Sequence, residues 1–302
     1  MAIVLGGSAF LASRTNIGQG ATAASTEPTV TAKPTALEPT SGFYLDIGAS
    51  ASLGMQPNGI LGRNGHNTNT GYSNDLVAIE AAKGVSLVLH QVGCPGETAQ
   101  SMAGKIHDHC YHAPATQMST AISYLRVNHS EVGVVTIDLG FNNVRPCLTV
   151  VPVDVSCASR GIALVREDMP KVLKELKSAA GPNVHFVGIE YGDPWLAHYL
   201  KASAGPSDAT QTLVEVGLLN QALGAAFSAA GVPIANVPKA FHSNSTNRVA
   251  LPGVGTVPEN VAKICEFTWM CKTSPWGPDD HPNNAGYMVI AQTISAVLPS
   301  TW

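Results

Sequence analysis

The sequence predicts an α/β fold: a central parallel sheet with helices packed on both of its faces. Three observations carry this expectation. From Phe43 onward, short apolar runs of strand length alternate with longer runs of helical spacing. Glycines close several of those runs, Gly48, Gly84 and Gly231 among them. Finally, 45% hydrophobic and only 13% charged residues in a chain of 302 allow a large core and argue against a solvated, disordered chain.

The elements follow in order. "FYLDI" is a short apolar run ended by Gly48. "SNDLVAIEAAKG" reads as a helix with Ser73 and Asn74 as candidate N-caps. "VSLVLHQVG" is a strand, and "ATQMSTAISYLRVN" has helical spacing at Met118, Ile122 and Leu125. "EVGVVTIDLG" is a β-branched strand. "RGIALVREDMPKVLKELKSAAG" is helical, with a kink or restart expected at Pro170. "VHFVGIEYG" and "VPIANV" are strands on either side of the helix "TLVEVGLLNQALGAAFSAAG", and "AGYMVIAQTISAVL" is a final helix. Residues 239–276 fit the alternation poorly and read as a stapled loop insertion near the rim, with the reach of a lid.

The first 42 residues read differently. "AIVLGGSAFLA" has the length of a secretory apolar segment and "ATAAS" offers small residues for cleavage, although no basic residue precedes Arg14. Residues 1–24 are therefore expected to be signal-peptide-like, with a short buried helix as the alternative. Residues 25–42, rich in Thr and Pro, are expected to form an extended linker to a domain at 43–302. No apolar run reaches the roughly 20 residues of a membrane-spanning helix. The net charge of −4 gives no basic face, which argues against a nucleic-acid partner. A secreted or extracytoplasmic monomer is expected.

Cysteines stand at 94, 110, 147, 157, 265 and 271. An even count behind an export-like segment favours disulfides, and about 15 pairings are formally possible. The spacing favours sequence neighbours: Cys94–Cys110, Cys147–Cys157 and Cys265–Cys271. Free thiols or a metal site are the alternative. "HDHCYH", His107 to His112, has no common zinc spacing, so no metal is expected there.

In a parallel sheet of this kind, ligands bind beyond the C-terminal ends of the strands. Ser50, Gly96 and Asn142 all lie just past predicted strands. A serine behind a glycine at a strand end can present its hydroxyl at a sharp turn. His281, in the turn-rich "GPDDHPNNAGY" beside Asp279 and Asp280, is a candidate general base. The five-residue Gly-x-Ser-x-Gly elbow is not met, because its last position is Ser52. Ser52 is the local rival to Ser50, and the turn at Gly48 disfavours it.

Taken in order, "GAS", "PGET", "LGFNN" and "DDHPNNAGY" resemble the four sequence blocks of the SGNH hydrolases, the GDSL-type lipase and esterase family. The resemblance covers roughly Phe43 to the C-terminus and is nearest the family's secreted, cysteine-stapled lipase/esterase branch. It implies a flavodoxin-like three-layer α/β/α sandwich. It also implies Ser50 as nucleophile, His281 as base, and an oxyanion hole of Ser50 N–H, Gly96 N–H and the Asn142 side chain. No cofactor is implied. Three positions depart from the pattern. Ala49 and Asn143 stand where the family has Asp, and Pro278 stands where the Asp three residues before the histidine belongs. The orienter of His281 is then Asp279 or a main-chain carbonyl.

The expected activity is hydrolysis of carboxylic esters through an acyl-enzyme on Ser50, with a small-molecule or lipid ester as substrate. Residues in "EYGDPWLAHYL" and "FTWMCKTSPWG" are candidates for an acyl pocket. The alternatives are an esterase of acetylated carbohydrate, or a catalytically weak extracellular protein that binds carbohydrate or lipid on the same scaffold.

Overall fold

A computed structural model of the chain describes residues 40–60, 65–201 and 205–300. The signal-like segment and linker residues 25–39 lie outside the described residues. Thr40–Gly42, read from sequence as the end of the linker, are already the first turn-free residues of a strand.

The chain runs β1 (Thr40–Gly48), α1 (Tyr72–Ala82), β2 (Val85–Gln91), α2 (Ala99–Met102), α3 (Gln117–Val127), β3 (Gly133–Asp138) and α4 (Arg145–Leu148). It continues through α5 (Val155–Ala179), β4 (Val184–Ile189), α6 (Gly205–Ala229), β5 (Ile234–Ala235) and α7 (Val237–Ala240). A hairpin, β6 (Arg248–Leu251) and β7 (Gly255–Pro258), precedes α8 (Glu259–Phe267) and α9 (Asn284–Ser295).

Strands β1 to β5 form one parallel sheet in the order β2-β1-β3-β4-β5. This is the doubly wound flavodoxin order, and its crevice opens where the chain leaves β1 for one edge and returns at β3 for the other. Strand alternation divides the core. Phe43, Leu45 and Ile47 face one side with Val135 and Ile137, under α3, α5 and α6. Tyr44 faces the other side with Val134 and Val187, under α1, α8 and α9.

Several local expectations are corrected. Helix α1 begins at Tyr72 with Gly71 at its N-cap, so Ser73 and Asn74 lie inside it. Ser73 is buried there and donates toward the Ser52 carbonyl, a use its capping propensity does not announce. Helix α5 passes through Pro170 as one 25-residue element and does not restart. Residues 239–276 are not a plain loop. They hold the β6–β7 hairpin and α8, which buries Val261, Ile264 and Phe267. The cysteines pair as Cys94–Cys110, Cys147–Cys157 and Cys265–Cys271.

The core also encloses carboxyl groups. Asp46 sits fully buried on β1, accepting hydrogen bonds from Tyr72 (2.8 Å) and Thr136 (2.7 Å). Burial pushes its carboxyl up to about 7, that of Asp193 up to about 7 and that of Asp138 up to about 6. An acid whose folded-state value is raised binds more protons folded than unfolded between about pH 4 and 7. Stability therefore falls as pH rises through that window. Buried His198 acts oppositely, because burial holds it below its ordinary value. Glu97, pushed up to about 7, and the raised His281 act with these three acids, and together they outweigh His198 and the lowered Asp279. The melting temperature is expected to be higher at pH 5 than at pH 8; the reverse order in a calorimetric scan would contradict this.

Candidate active site

The site grows out of the end of β1. Gly48 pairs with Asp138 on β3, and a Cβ at Gly48 would lie 2.8 Å from both the Cβ and the carbonyl oxygen of Asp138. Only glycine allows that approach. One more bond, Ala49 N–H to Asp138 O at 3.2 Å, carries the strand past its end. The chain then turns through a 3-10 turn, Ala51–Leu53, whose N-cap is Ser50 in the right-handed helical region. The turn separates the two serines. Ser52 is fully buried and its hydroxyl donates to Ala49 O at 2.7 Å, while the Ser50 hydroxyl faces the cavities at the crevice.

Ser50 Oγ lies 2.8 Å from Nε2 of His281. On the far side of the ring, Nδ1 lies 2.7 Å from Oδ1 of Asp279, which also accepts the His281 backbone N–H at 2.9 Å. Asp279 therefore holds ring and main chain together. Asp280 is 3.8 Å from Nδ1 and is engaged instead by Arg145. Burial disfavours the His281 imidazolium, but the hydrogen bond and charge of Asp279, with Asp280 nearby, outweigh it and hold the ring above its ordinary value. Asp279 in turn is held below the usual carboxylate value: burial opposes this, and the bond to His281 overcomes it.

Ser50, Gly96, Asn142, Arg145 and His281 line one groove together. Among the described residues, the N–H groups of Ser50 and Gly96 have no acceptor. Gly96 has a positive φ of 82°, which tilts its peptide in a way other residues resist. Asn142 donates one amide hydrogen to Glu97 O at 3.1 Å and retains a second. Three hydrogen-bond donors therefore border one groove beside the Ser50 hydroxyl. Replacing Asn142 with alanine is expected to lower kcat by about 10²- to 10³-fold. Steady-state kinetics on an ester check this, and an unchanged kcat would mean that Asn142 stabilises no developing charge.

Residues that sequence reasoning missed hold these donors in place. Gln117, buried at the start of α3, accepts from Gly48 N–H (3.0 Å) and donates to Gly48 O (2.9 Å), as a neighbouring strand would. The same amide donates to Glu97 at 3.2 Å, and Ser101 donates to the other oxygen of that carboxyl. Burial pushes Glu97 up to about 7, opposed by the Ser101 bond and aided by nearby Asp108. One hydrogen-bond network thus spans the end of β1, the Gly96 loop and Asn142. Asn143, where the family resemblance expected Asp, accepts from Ala99 N–H at 3.0 Å and ties the same loop to α2. A polar residue in the apolar spacing of α3 was the only sequence signal for Gln117. The His107–His112 loop is occupied structurally: Cys110 is oxidised, and Asp108 accepts from the Tyr111 and Gln117 N–H groups.

Two cavities meet at Ser50. One, about 730 Å³ including its open mouth, runs inward past Tyr72, Phe141, Ile189, Val237, Phe241 and Ile264. Of the stretches expected to line an acyl pocket, the first supplies Glu190, Tyr191, Gly192 and Pro194, but the second supplies only Thr268. Ser274, Pro275, Trp276 and Gly277 instead line the other cavity, an open groove beyond Gly96.

No family model and no curated protein matches the chain. Solved structures do. Phospholipase A1 from Streptomyces albidoflavus aligns with a TM-score of 0.52 at 15% identity, covering 84% of this chain and 99% of its own. An extracellular lipase from Streptomyces rimosus aligns with a TM-score of 0.52 at 14% identity, with coverage of 84% and 99%. Identities this low speak for backbone architecture. With its sheet order and its helices on both faces, the chain has a three-layer α/β/α fold, the backbone architecture that it shares with these two solved structures.

Proposed function

We propose that this chain is a serine hydrolase of carboxylic esters, with Ser50 as nucleophile, His281 as general base and Asp279 as the orienter of His281. The observation that carries the reading is the unbroken line from Ser50 Oγ through His281 to Asp279, set beside unpaired backbone donors. Ser50 Oγ attacks the ester carbonyl carbon as its proton passes to Nε2 of His281. The carbonyl electrons move to oxygen, held by Ser50 N–H, Gly96 N–H and Asn142. Collapse expels the alkoxide, which takes the proton from His281 and leaves as alcohol. Water, deprotonated by the same imidazole, then attacks the acyl-enzyme and releases the acid and Ser50. The scheme calls for no cofactor.

The apolar cavity supports an acyl chain as the part of the substrate held deepest. The structurally similar phospholipase and lipase fit that preference. Three disulfides support function in an oxidising, extracytoplasmic compartment. A carbohydrate acetyl esterase is the second reading, favoured by the open groove that carries Trp276 on the far side of Gly96. Hydrolysis of p-nitrophenyl esters from acetate to palmitate tests the first reading. Turnover peaking above acetate is expected. Activity confined to acetylated saccharides would replace it with the second.

A further inference from the structure

The loop that carries His281 holds two carboxylates, and the imidazole has only one N–H to give Asp279 or Asp280. The deciding contact comes from across the site. Arg145 Nε donates to Asp280 Oδ2 at 2.6 Å and Nη2 donates to Oδ1 at 3.1 Å, a planar two-bond fork. Asp280 is 7% exposed at its side chain, so the pair is shielded on the carboxylate side. Arg145 opens α4, three residues after Asn142, and lines both cavities. The fork therefore ties the loop of the oxyanion donor to the loop of the base, across 135 positions of sequence.

Building on the hydrolase reading, we propose that Arg145 is a positioning residue: by occupying both oxygens of Asp280, it leaves Asp279 as the carboxylate that orients His281 and fixes the base loop against the Asn142 loop. The charged groups around the imidazole are Asp279 and Asp280 on its own loop, Arg145 on α4 and Asp138 at the end of β3. Without Arg145, Asp280 becomes an unbalanced anion 3.8 Å from Nδ1 and free to compete for it.

The test combines ester kinetics across pH with an NMR titration of His281. In R145Q, kcat should fall about 10- to 100-fold with KM little changed. The acid limb of kcat/KM and the His281 titration should both move up by about 0.5 to 1 pH unit. R145K keeps a charge but loses the fork, so the limb should return toward wild type while kcat stays low. D280N should move the limb down. D280N added to R145Q should cancel the upward shift. A rise in KM alone, or a limb unmoved in both R145Q and D280N, would overturn the proposal and make Arg145 a substrate contact or a plain strut. If wild type hydrolyses no ester but R145Q still shifts the His281 titration, the hydrolase reading fails and the positioning role stands.

Discussion

Replacing Ser50 with alanine is expected to reduce ester turnover by at least about 10⁴-fold with the fold intact. The size follows from the arrangement. Under the proposed mechanism no acyl-enzyme forms without Oγ, and what remains is water placed by His281 and the proposed oxyanion donors. The fold should not suffer, because Ser50 is an N-cap that makes no side-chain capping bond. Its neighbour gives the contrast. Ser52 is buried and closes the turn onto Ala49 O. Ser52→Ala should therefore lower the melting temperature more than Ser50→Ala while retaining the acyl-enzyme route. A Ser50→Ala variant with undiminished turnover, or a Ser52→Ala variant that folds and is inert, would reverse the assignment.

The second large effect is at Asp279. Asp279→Asn keeps the volume but exchanges a carboxylate for an amide that can donate to Nδ1, favouring the wrong tautomer of His281. A loss of about 10²- to 10⁴-fold in kcat is expected. The lower figure applies if Asp280, 3.8 Å from Nδ1, takes over part of the role. The pH profile carries its own signature. Asp279 is what raises His281 against the cost of burial, so its loss should move the acid limb of kcat/KM to lower pH. An acid limb unmoved by Asp279→Asn, with full activity, would exclude Asp279 as orienter.

Much of this was legible in the sequence because its causes are local. Alternating strand and helix runs fix the parallel sheet, since each run carries its own period. Ser50, Gly96, Asn142 and His281 stand beside glycines, prolines and asparagines at strand and helix ends, where turn chemistry shows. The hidden part is what acts at a distance. Gln117 clamps Gly48 from 69 residues away, and Arg145 reaches Asp280 from 135. Neither carries a local pattern, because a glutamine in a helix and an arginine before a proline are ordinary. The β6–β7 hairpin was hidden for another reason. Its four-residue strands are too short to display a period, and Gly253 and Gly255, both at positive φ, read equally well as loop. The departures at Ala49, Asn143 and Pro278 also become intelligible only in three dimensions. Gln117 braces Gly48, Asn143 braces the start of α2, and Asp279 reaches Nδ1 from two residues away.

The central claim is that Ser50 is a nucleophile activated by His281. The most direct measurement is reaction of the folded, oxidised protein with a fluorophosphonate, followed by intact mass and peptide mapping. One equivalent of label on Ser50, with labelling slowed at least about 100-fold in His281→Ala, is the predicted result. No label, or label on Ser52 or another serine, would contradict it.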